Sequence, residues 1–374
     1  MDGEILRPDQ IVSRVLQYRL AKVGVANVGM PLVVTFSVTN KCNSKCKTCN
    51  VWKNPNRRSE ELNLDEIENI FRSIGKLYFL NISGGEPFLR NDLVEIIRLG
   101  QRYMSPNLVH IPSNGLLTDL IEKRVKEILE TISSKTFLTI KLSLDGIGDS
   151  HDEIRGIKGN FLKVTETYSR LNNVKQEYPN FHLGFNTITS KFNLDHLDEI
   201  IEYARSLKPD SYVTEVAENR SELFNLSDDI TPDAETYKKL ILSFRESTKQ
   251  NLKNRRSISK YTEASRLVYY DYVVRILKEK RQVLPCYAGL SNAHLNPFGD
   301  VWPCCILAYN QNMGNVRDFD CNFKQLWNSS KAKAVRKYIK DGNCYCPMAN
   351  QSYSNILCSM TAMTKVAKNL LVAR

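Results

Sequence analysis

The 374-residue sequence contains no run of ~18 uncharged apolar residues, the length a membrane-spanning helix needs. It also opens without a basic segment followed by an apolar one, since Asp2 and Glu4 precede only mixed sequence, so no secretory signal is expected. Beyond alternating strand-like and helix-like segments there is no internal repeat, and there is no low-complexity tract. Without a secretory signal, the ten cysteines point to metal or redox chemistry rather than a disulfide framework. The expected compartment is the cytoplasm, with peripheral attachment to a membrane as a second reading. Hydrophobic residues at 42% and charged ones at 25% make an ordinary globular composition. The length suits one large domain and a smaller one.

The charge balance is basic, with 52 Lys and Arg against 41 Asp and Glu for a formal net charge of +11. Part of the excess gathers in Lys249–Lys260 (Lys249, Lys253, Arg255, Arg256, Lys260) and part in Lys331–Lys340. Such runs are solvated helix faces, or they meet an anionic substrate, an acidic electron donor of flavodoxin or ferredoxin type, or an acidic membrane surface. Two ends of the chain are amphipathic. Residues 10–24 put Val12, Val15, Leu16, Leu20 and Val23 on one helical face, with Arg14 and Gln17 opposite and Arg19 interrupting the stripe. Residues 360–374 do the same with Met363, Val366, Ala367, Leu370 and Leu371, backed by Lys365 and Lys368. Helices of this kind are expected to pack on their own protein, with interfacial membrane attachment as the alternative.

Three cysteines stand within eight residues in Cys42-Asn-Ser-Lys-Cys46-Lys-Thr-Cys49, directly after the apolar run from Pro31 to Thr39. Val33, Val34, Phe36 and Val38 make that run a buried strand and the cysteines the loop that leaves it. Three thiolates on one short loop can ligate three irons of a 4Fe–4S cube, leaving the fourth iron open to a small molecule. A structural zinc site is the competing reading. Zinc more often takes paired C-x2-C knuckles, and no partner knuckle follows within the next hundred residues.

Strand-like and helix-like segments then alternate. Strands are expected at 77–82, 108–111, 137–144, 181–187 and 211–216, and helices at 64–74, 92–102, 118–132 (capped by Thr118 or Asp119), 161–171 and 194–206. With the first strand that makes six, and strict alternation argues a parallel sheet covered by helices. Segment 231–281 is polar, basic and helical in period, starting at a Thr231 cap with Pro232 in the first turn. A hairpin is signalled at Asn296–Asp300, and one helix from Phe323 to Ile339.

The C-x3-C-x2-C loop, followed one strand–helix unit later by Ser83-Gly84-Gly85-Glu86-Pro87, resembles the radical S-adenosylmethionine (radical SAM) superfamily. The resemblance implies an α/β fold built as a partial (β/α)6 TIM barrel. It also implies that the open iron binds SAM, with Gly84, Gly85 and Glu86 around the SAM amino group. Leu142-Ser143-Leu144-Asp145-Gly146, followed by His151 and Arg155, is similar to a pattern in the peptide- and sugar-modifying branch of that family. It implies that Ser143 and Arg155 contact the ribose and carboxylate of SAM; Arg155 can pair with a carboxylate at two points. The bland reading of Arg155 is a surface ion pair with Asp152 or Glu153, and His151 is a structural cap or a proton carrier. Asn114 and Asn186 end their strands in the same layer as further cofactor contacts. The family commonly has an aromatic residue just before the third cysteine; here Thr48 stands there, and Trp52 partly takes its place.

The distal cysteines, Cys286, Cys304, Cys305, Cys321, Cys344, Cys346 and Cys358, look like the SPASM or twitch extension that holds an auxiliary 4Fe–4S cluster. The resemblance favours one auxiliary cluster on Cys286, Cys304, Cys344 and Cys346, with Cys305 and Cys358 as substitutes and Cys321 as a spare. Zinc is the alternative there too. The domains expected are an N-terminal amphipathic helix (1–30), the partial barrel (31–230), a helical linker (231–283), the cysteine-rich twitch/SPASM-like domain (284–358) and a C-terminal amphipathic helix (359–374).

The implied activity is reductive cleavage of SAM to a 5′-deoxyadenosyl radical that takes hydrogen from a C–H bond, with the auxiliary cluster accepting an electron. Glu215, near the end of the sixth strand, is the candidate base, with Glu218 behind it. The preferred substrate is a small molecule (a sugar, an aminocyclitol) or a lipid head group, and a ribosomal peptide is the alternative. A zinc-bound scaffold or nucleic-acid-binding protein is the remote reading; it leaves the Gly-Gly-Glu-Pro element unexplained, and no nucleic-acid partner is expected.

Overall fold

The computed structural model describes residues 4–54, 58–254 and 257–372. Arg255 and Arg256 of the basic run, and Ala373 and Arg374 of the last helix, lie outside the described residues. After α1 (Pro8–Val23) come β1 (Val33–Ser37), α2 (Leu64–Ile74), β2 (Phe79–Ser83), α3 (Leu93–Met104), β3 (Leu108–Ser113), α4 (Thr118–Thr131) and β4 (Phe137–Ser143). Next are α5 (Asp149–Arg155), α6 (Asn160–Val174), β5 (Phe181–Thr189), α7 (Leu197–Ser206) and β6 (Ser211–Val216). These six strands pair in parallel, each with the next, because each helical crossover returns the chain to the same end of the sheet.

The strands are two-faced. Val34, Phe36, Leu80, Ile82, Val109, Ile111, Leu138 and Ile140 are buried to 1% exposure or less and share one core with Ile67, Ile70 and Phe71 of α2 and Ile121, Val125 and Ile128 of α4. The alternate positions are polar: Asn81 donates to Thr35 Oγ1 at 3.1 Å and meets His110 Nδ1 at 2.7 Å. Period-2 alternation turns the apolar set to the helices and the polar set to the barrel lumen. Helix α2 starts at an Asn63 cap with Glu66 reaching back. Helix α4 differs from expectation: Leu117 precedes it without a side-chain cap, and Thr118 Oγ1 bonds Thr167 Oγ1 at 2.8 Å instead.

The segment expected as a linker is part of the core. It forms α8 (Ala234–Asn254) and α9 (Ser257–Glu279), and α9 buries Ala264, Leu267, Val268, Tyr269, Tyr270 and Val273. Its start is capped by Asp233, which accepts from the Thr236 amide at 3.0 Å, while Thr231 Oγ1 turns away to the Ala217 carbonyl at 2.9 Å.

Strands β7 (Asn292–Leu295), β8 (Asp300–Trp302) and β9 (Gly314–Asn315) extend the barrel sheet in the order β6-β5-β4-β3-β2-β1-β7-β8-β9. β7 runs parallel to β1 with Val33 opposite Asn292, a seventh parallel strand. The β7–β8 turn forms where expected: Asn296 Oδ1 accepts from the Phe298 and Asp300 amides, and Gly299 takes φ +92°. Pairing with β1 therefore brings the cysteine-rich segment against the strand that carries the first cysteine loop. Two helices, α10 (Phe323–Trp327) and α11 (Ser330–Lys340), replace the single one expected, because Ser329 caps the second. They are followed by α12 (Ala349–Cys358) and α13 (Met360–Val372).

The two amphipathic ends differ. In α13 Val366 is buried and the helix packs on α9. In α1 only Val15 and Tyr18 are buried; Val12, Leu16, Leu20 and Val23 lie exposed. Among the described residues, no helix is long and apolar enough to cross a membrane.

Candidate functional site

The first site lies at the C-terminal ends of the strands, where barrels carry their loops. The cysteine loop leaving β1 is gripped from three sides. From the β2 turn, the Gly85 amide donates to the Thr39 carbonyl at 2.7 Å and the Glu86 amide to the Lys41 carbonyl at 2.8 Å. A Cβ on Gly84 or Gly85 would lie 2.2 Å from the Thr39 or Lys41 oxygen, so no larger residue fits either position unless the loop moves. From the end of α5, the Arg155 carbonyl accepts from the Lys45 amide at 2.9 Å and from Ser44 Oγ at 3.0 Å. From the turn after β6, Asn225 donates to the Thr48 carbonyl at 2.8 Å.

The resulting cavity, about 820 Å³ counting its open mouth, is lined by Cys42, Cys46, Cys49, Gly84, Gly85, Glu86, Asn114, Ser143 and Arg155. Thr48, Trp52, Glu218 and Arg220 line it too, with Lys45 and Lys53 placed over the Trp52 ring. Two donors converge on the sulfurs: the Ser44 amide is 3.4 Å from Cys42 Sγ, and Ser44 Oγ is 3.3 Å from Cys46 Sγ. Burial pushes the Cys42 thiol up to about 11 and Cys49 to about 12, so these sulfurs keep their protons unless a metal takes them.

Glu86 is buried and accepts from Ser113 Oγ at 3.0 Å and the Asn114 amide at 2.8 Å; burial raises it to about 7. Arg155 pairs with Asp145 at 3.0 Å rather than with Asp152 or Glu153. Asp152 instead binds the Phe161 amide, and Glu153 binds Lys47. Burial opposes the Arg155 charge, but Cys46 and Asp145 outweigh it and its pKa is raised. Its Nε is buried without a partner, a donor left over for a ligand in the cavity. His151 Nδ1 accepts from the Asp145 amide at 3.2 Å, and burial lowers it to about 4, so it acts as a neutral turn-holding acceptor.

Two expected residues fall elsewhere. Asn186 stands opposite Ser143 on β5, two positions before the cavity-lining Ile188, and does not itself line the cavity. Glu215 does not line it either; Glu218 does, since the chain turns inward after β6. Glu218 is buried, its Oε2 has no hydrogen-bond partner, and Arg220 Nε stands 3.6 Å away. Burial raises Glu218 to about 7. Arg220 had no sequence signal beyond its place two residues after Glu218.

A second cavity gathers Cys286, Cys304, Cys344 and Cys346 beside Gln351 and Asn355. Gln282 Nε2 approaches Cys344 Sγ at 3.8 Å, and burial raises Cys344 to about 11 and pushes Cys286 up as well. Cys305 faces away, with Arg220 Nη1 3.6 Å from its sulfur. Cys358 packs in a separate cluster with Tyr18, and Cys321 lies outside both cavities. Among the described residues, no three His, Cys, Asp or Glu side chains close around a single ion. The thiols line cavity walls instead, as donors to a multi-atom group do.

Comparison with known proteins agrees with this layout. Residues 36–204 match the radical SAM superfamily, and residues 286–347 match SPASM, an iron-sulfur cluster-binding domain. The antilisterial bacteriocin subtilosin biosynthesis protein AlbA of Bacillus subtilis is 25% identical over 330 residues, 86% of this chain and 64% of AlbA. The chain thus spans less than two thirds of AlbA's length. The AdoMet-dependent heme synthase of Methanosarcina barkeri is 24% identical over 82% of this chain and 85% of its own. Streptococcus suis SuiB, solved bound to S-adenosylmethionine, superposes with a TM-score of 0.62 at 16% identity, over 90% of this chain and 75% of SuiB, a likeness of fold. The two matched domains imply 4Fe–4S clusters and SAM as cofactors, and the thiols, the glycine pair and the spare Arg155 donor suit them. With a radical SAM domain followed by a SPASM domain, this enzyme belongs to the radical SAM superfamily.

Proposed function

We propose that the chain is a peptide-modifying radical SAM/SPASM oxidoreductase that removes two hydrogens, net, from its substrate. AlbA is named for bacteriocin biosynthesis, and SuiB has been solved with its precursor peptide SuiA. Both support a peptide over a sugar, an aminocyclitol or a lipid head group. A tetrapyrrole is the second reading, supported by the likeness to the heme synthase over 82% of this chain.

In this reading Cys42, Cys46 and Cys49 hold the SAM-binding cluster, and Cys286, Cys304, Cys344 and Cys346 the auxiliary one. When bound, these groups supply a 5′-deoxyadenosyl radical at the first cavity and a one-electron acceptor at the second. The chain does the rest. Arg155 Nε donates to the SAM carboxylate, with Asp145 fixing the guanidinium. Glu86 accepts from the SAM ammonium, whose positive charge favours the ionised form of a carboxyl that burial alone would raise. Gly84, Gly85, Asn114 and Ser143 complete the wall.

The observation that carries the oxidative part is the position of Glu218. Its unpartnered oxygen lines the first cavity, while its charge is felt by Cys346 in the second. One substrate hydrogen leaves as an atom to the radical. The second leaves as a proton to Glu218 while its electron goes to the acceptor at the second cavity. Glu218 therefore replaces Glu215 as the proposed base. Incubating reconstituted enzyme anaerobically with SAM, a reductant and candidate precursor peptides tests this. A peptide lighter by two hydrogens, formed with 5′-deoxyadenosine, supports the reading; conversion of a tetrapyrrole and no peptide overturns it.

A further inference from the structure

The barrel lumen beneath the first cavity is polar where such interiors are usually filled by bulky branched side chains. Pro112, Ser143 and Ile188 line the cavity. Two residues earlier on the same strand faces stand His110, Lys141 and Asn186. Lys141 has only Pro112 and Gly184 beside it in register, which leaves its long side chain free to cross the lumen.

The opposite wall comes from β6 and the helices. Lys141 lies within electrostatic range of Arg266 and Glu263 on α9 and of Glu215 on β6. Arg266 donates to Glu263 at 2.7 Å and keeps a buried Nε with no partner. The hydroxyls of Tyr237, Tyr269 and Tyr353 are likewise buried without partners, and the Tyr269 and Tyr353 rings lie 5.3 Å apart. Tyr269 also senses Glu218, so the compartment reaches the first cavity.

A fold does not gather this many buried polar atoms without partners unless something else meets them. Donors dominate: an ammonium, a guanidinium Nε and three phenols, against Glu215 as the acceptor left over. We infer that the lumen beneath the SAM cavity is a binding compartment for a substrate carboxylate, held by Lys141 and Arg266 with the Tyr269 and Tyr353 hydroxyls beside them. The source of that carboxylate, an acidic side chain or a peptide C-terminus, rests on the peptide-modifying reading.

The test is isothermal titration of the reconstituted, SAM-loaded full chain with four probes. These are N-acetyl-Ala-Glu-Ala-amide, its Gln twin, N-acetyl-Ala-Ala-Ala with a free C-terminus, and glutarate. A carboxylate probe is expected to bind roughly tenfold tighter than the neutral twin, as charge-assisted hydrogen bonds allow. Lys141→Met and Arg266→Gln should each erase most of that preference. The Glu peptide and the free-terminus peptide separate the two sources. Glutarate binding that depends on Lys141, with neither peptide binding, keeps the compartment and overturns the peptide reading. Equal binding of all four probes overturns the inference, and so does an undiminished preference in Lys141→Met. Thermal melting of Tyr269→Phe and Lys141→Met guards against a merely structural role. A melting temperature that holds or rises while probe affinity falls supports binding; one that falls while affinity holds contradicts it.

Discussion

A Cβ on Gly85 would sit 2.2 Å from the Lys41 carbonyl oxygen. The glycine element after β2 is thus a backbone brace for the cysteine loop as well as part of the cavity wall. Gly85→Ala should displace the loop at a cost of about 1–3 kcal/mol, the usual range for overpacking. Iron bound after reconstitution should fall toward the amount held by the second cavity alone. Iron analysis together with a melting curve checks both, and an alanine variant with full iron would show that the loop does not depend on the brace.

Arg155 and Asp145 form a buried pair, so removing either leaves a charge uncompensated at about 3–5 kcal/mol. Arg155→Lys keeps the charge but loses the planar fork. It should retain most stability while SAM affinity drops by roughly tenfold or more. Equilibrium binding of SAM measured beside thermal melting separates the two effects.

Glu218 gives a pH signature. Burial raises it to about 7 against an ordinary value of 4.5, so the base form gains population as pH rises through 7, and turnover should rise with it. Glu218→Gln should flatten that limb and slow turnover by roughly 10²–10⁴-fold, the usual worth of a general base. Glu215→Gln should leave the limb in place. The pH profiles of the three enzymes decide the assignment.

Lys141 predicts a stability effect of defined sign. Burial lowers it from 10.5 to about 8, with Arg266 acting in the same direction and Glu215 and Glu263 opposing. His110 faces it from β3 and is itself lowered, by burial and then by Lys141. Between pH 8 and 10.5 the folded chain binds fewer protons than the unfolded one, so stability rises with pH across that window. Lys141→Met should remove the slope and melt roughly 2–4 °C higher below pH 8. Melting curves from pH 7 to 10.5 check it; an unchanged slope in the variant would place the titration on another group.

The outward stripe of α1 gives a prediction of indifference. Leu16→Gln and Leu20→Gln should change stability by about 0.5 kcal/mol or less, as exposed positions do. Tyr18→Phe, which strands the Met30 carbonyl now bonded at 2.5 Å, should cost about 1–3 kcal/mol. Denaturant unfolding distinguishes them.

Much of this was readable from residues alone. The cysteine loop, the Gly-Gly-Glu-Pro turn and the six strands follow from local spacing and period, which short-range chemistry fixes. The four distal cysteines that line one cavity were also separable from Cys305, Cys321 and Cys358. Strand β7 escaped because Asn292-Ala-His-Leu lacks the β-branched signature, and its place is set by long-range pairing with Val33 to Phe36. Helix α9 was taken for a linker because the polar, basic run before it hid the apolar residues that cover most of its surface. Periodicity located the α1 stripe but cannot say what covers it. Glu218 rather than Glu215 lines the cavity because the loop path after β6 is a tertiary matter.

The most direct measurement compares 5′-deoxyadenosine formation and bound iron in wild-type protein and in the combined Cys42→Ala, Cys46→Ala, Cys49→Ala variant after anaerobic reconstitution. The account predicts that the variant keeps the iron of the second cavity, loses that of the first and forms no 5′-deoxyadenosine. A variant that forms it at the wild-type rate, or wild-type protein that carries zinc at the loop, would contradict the account.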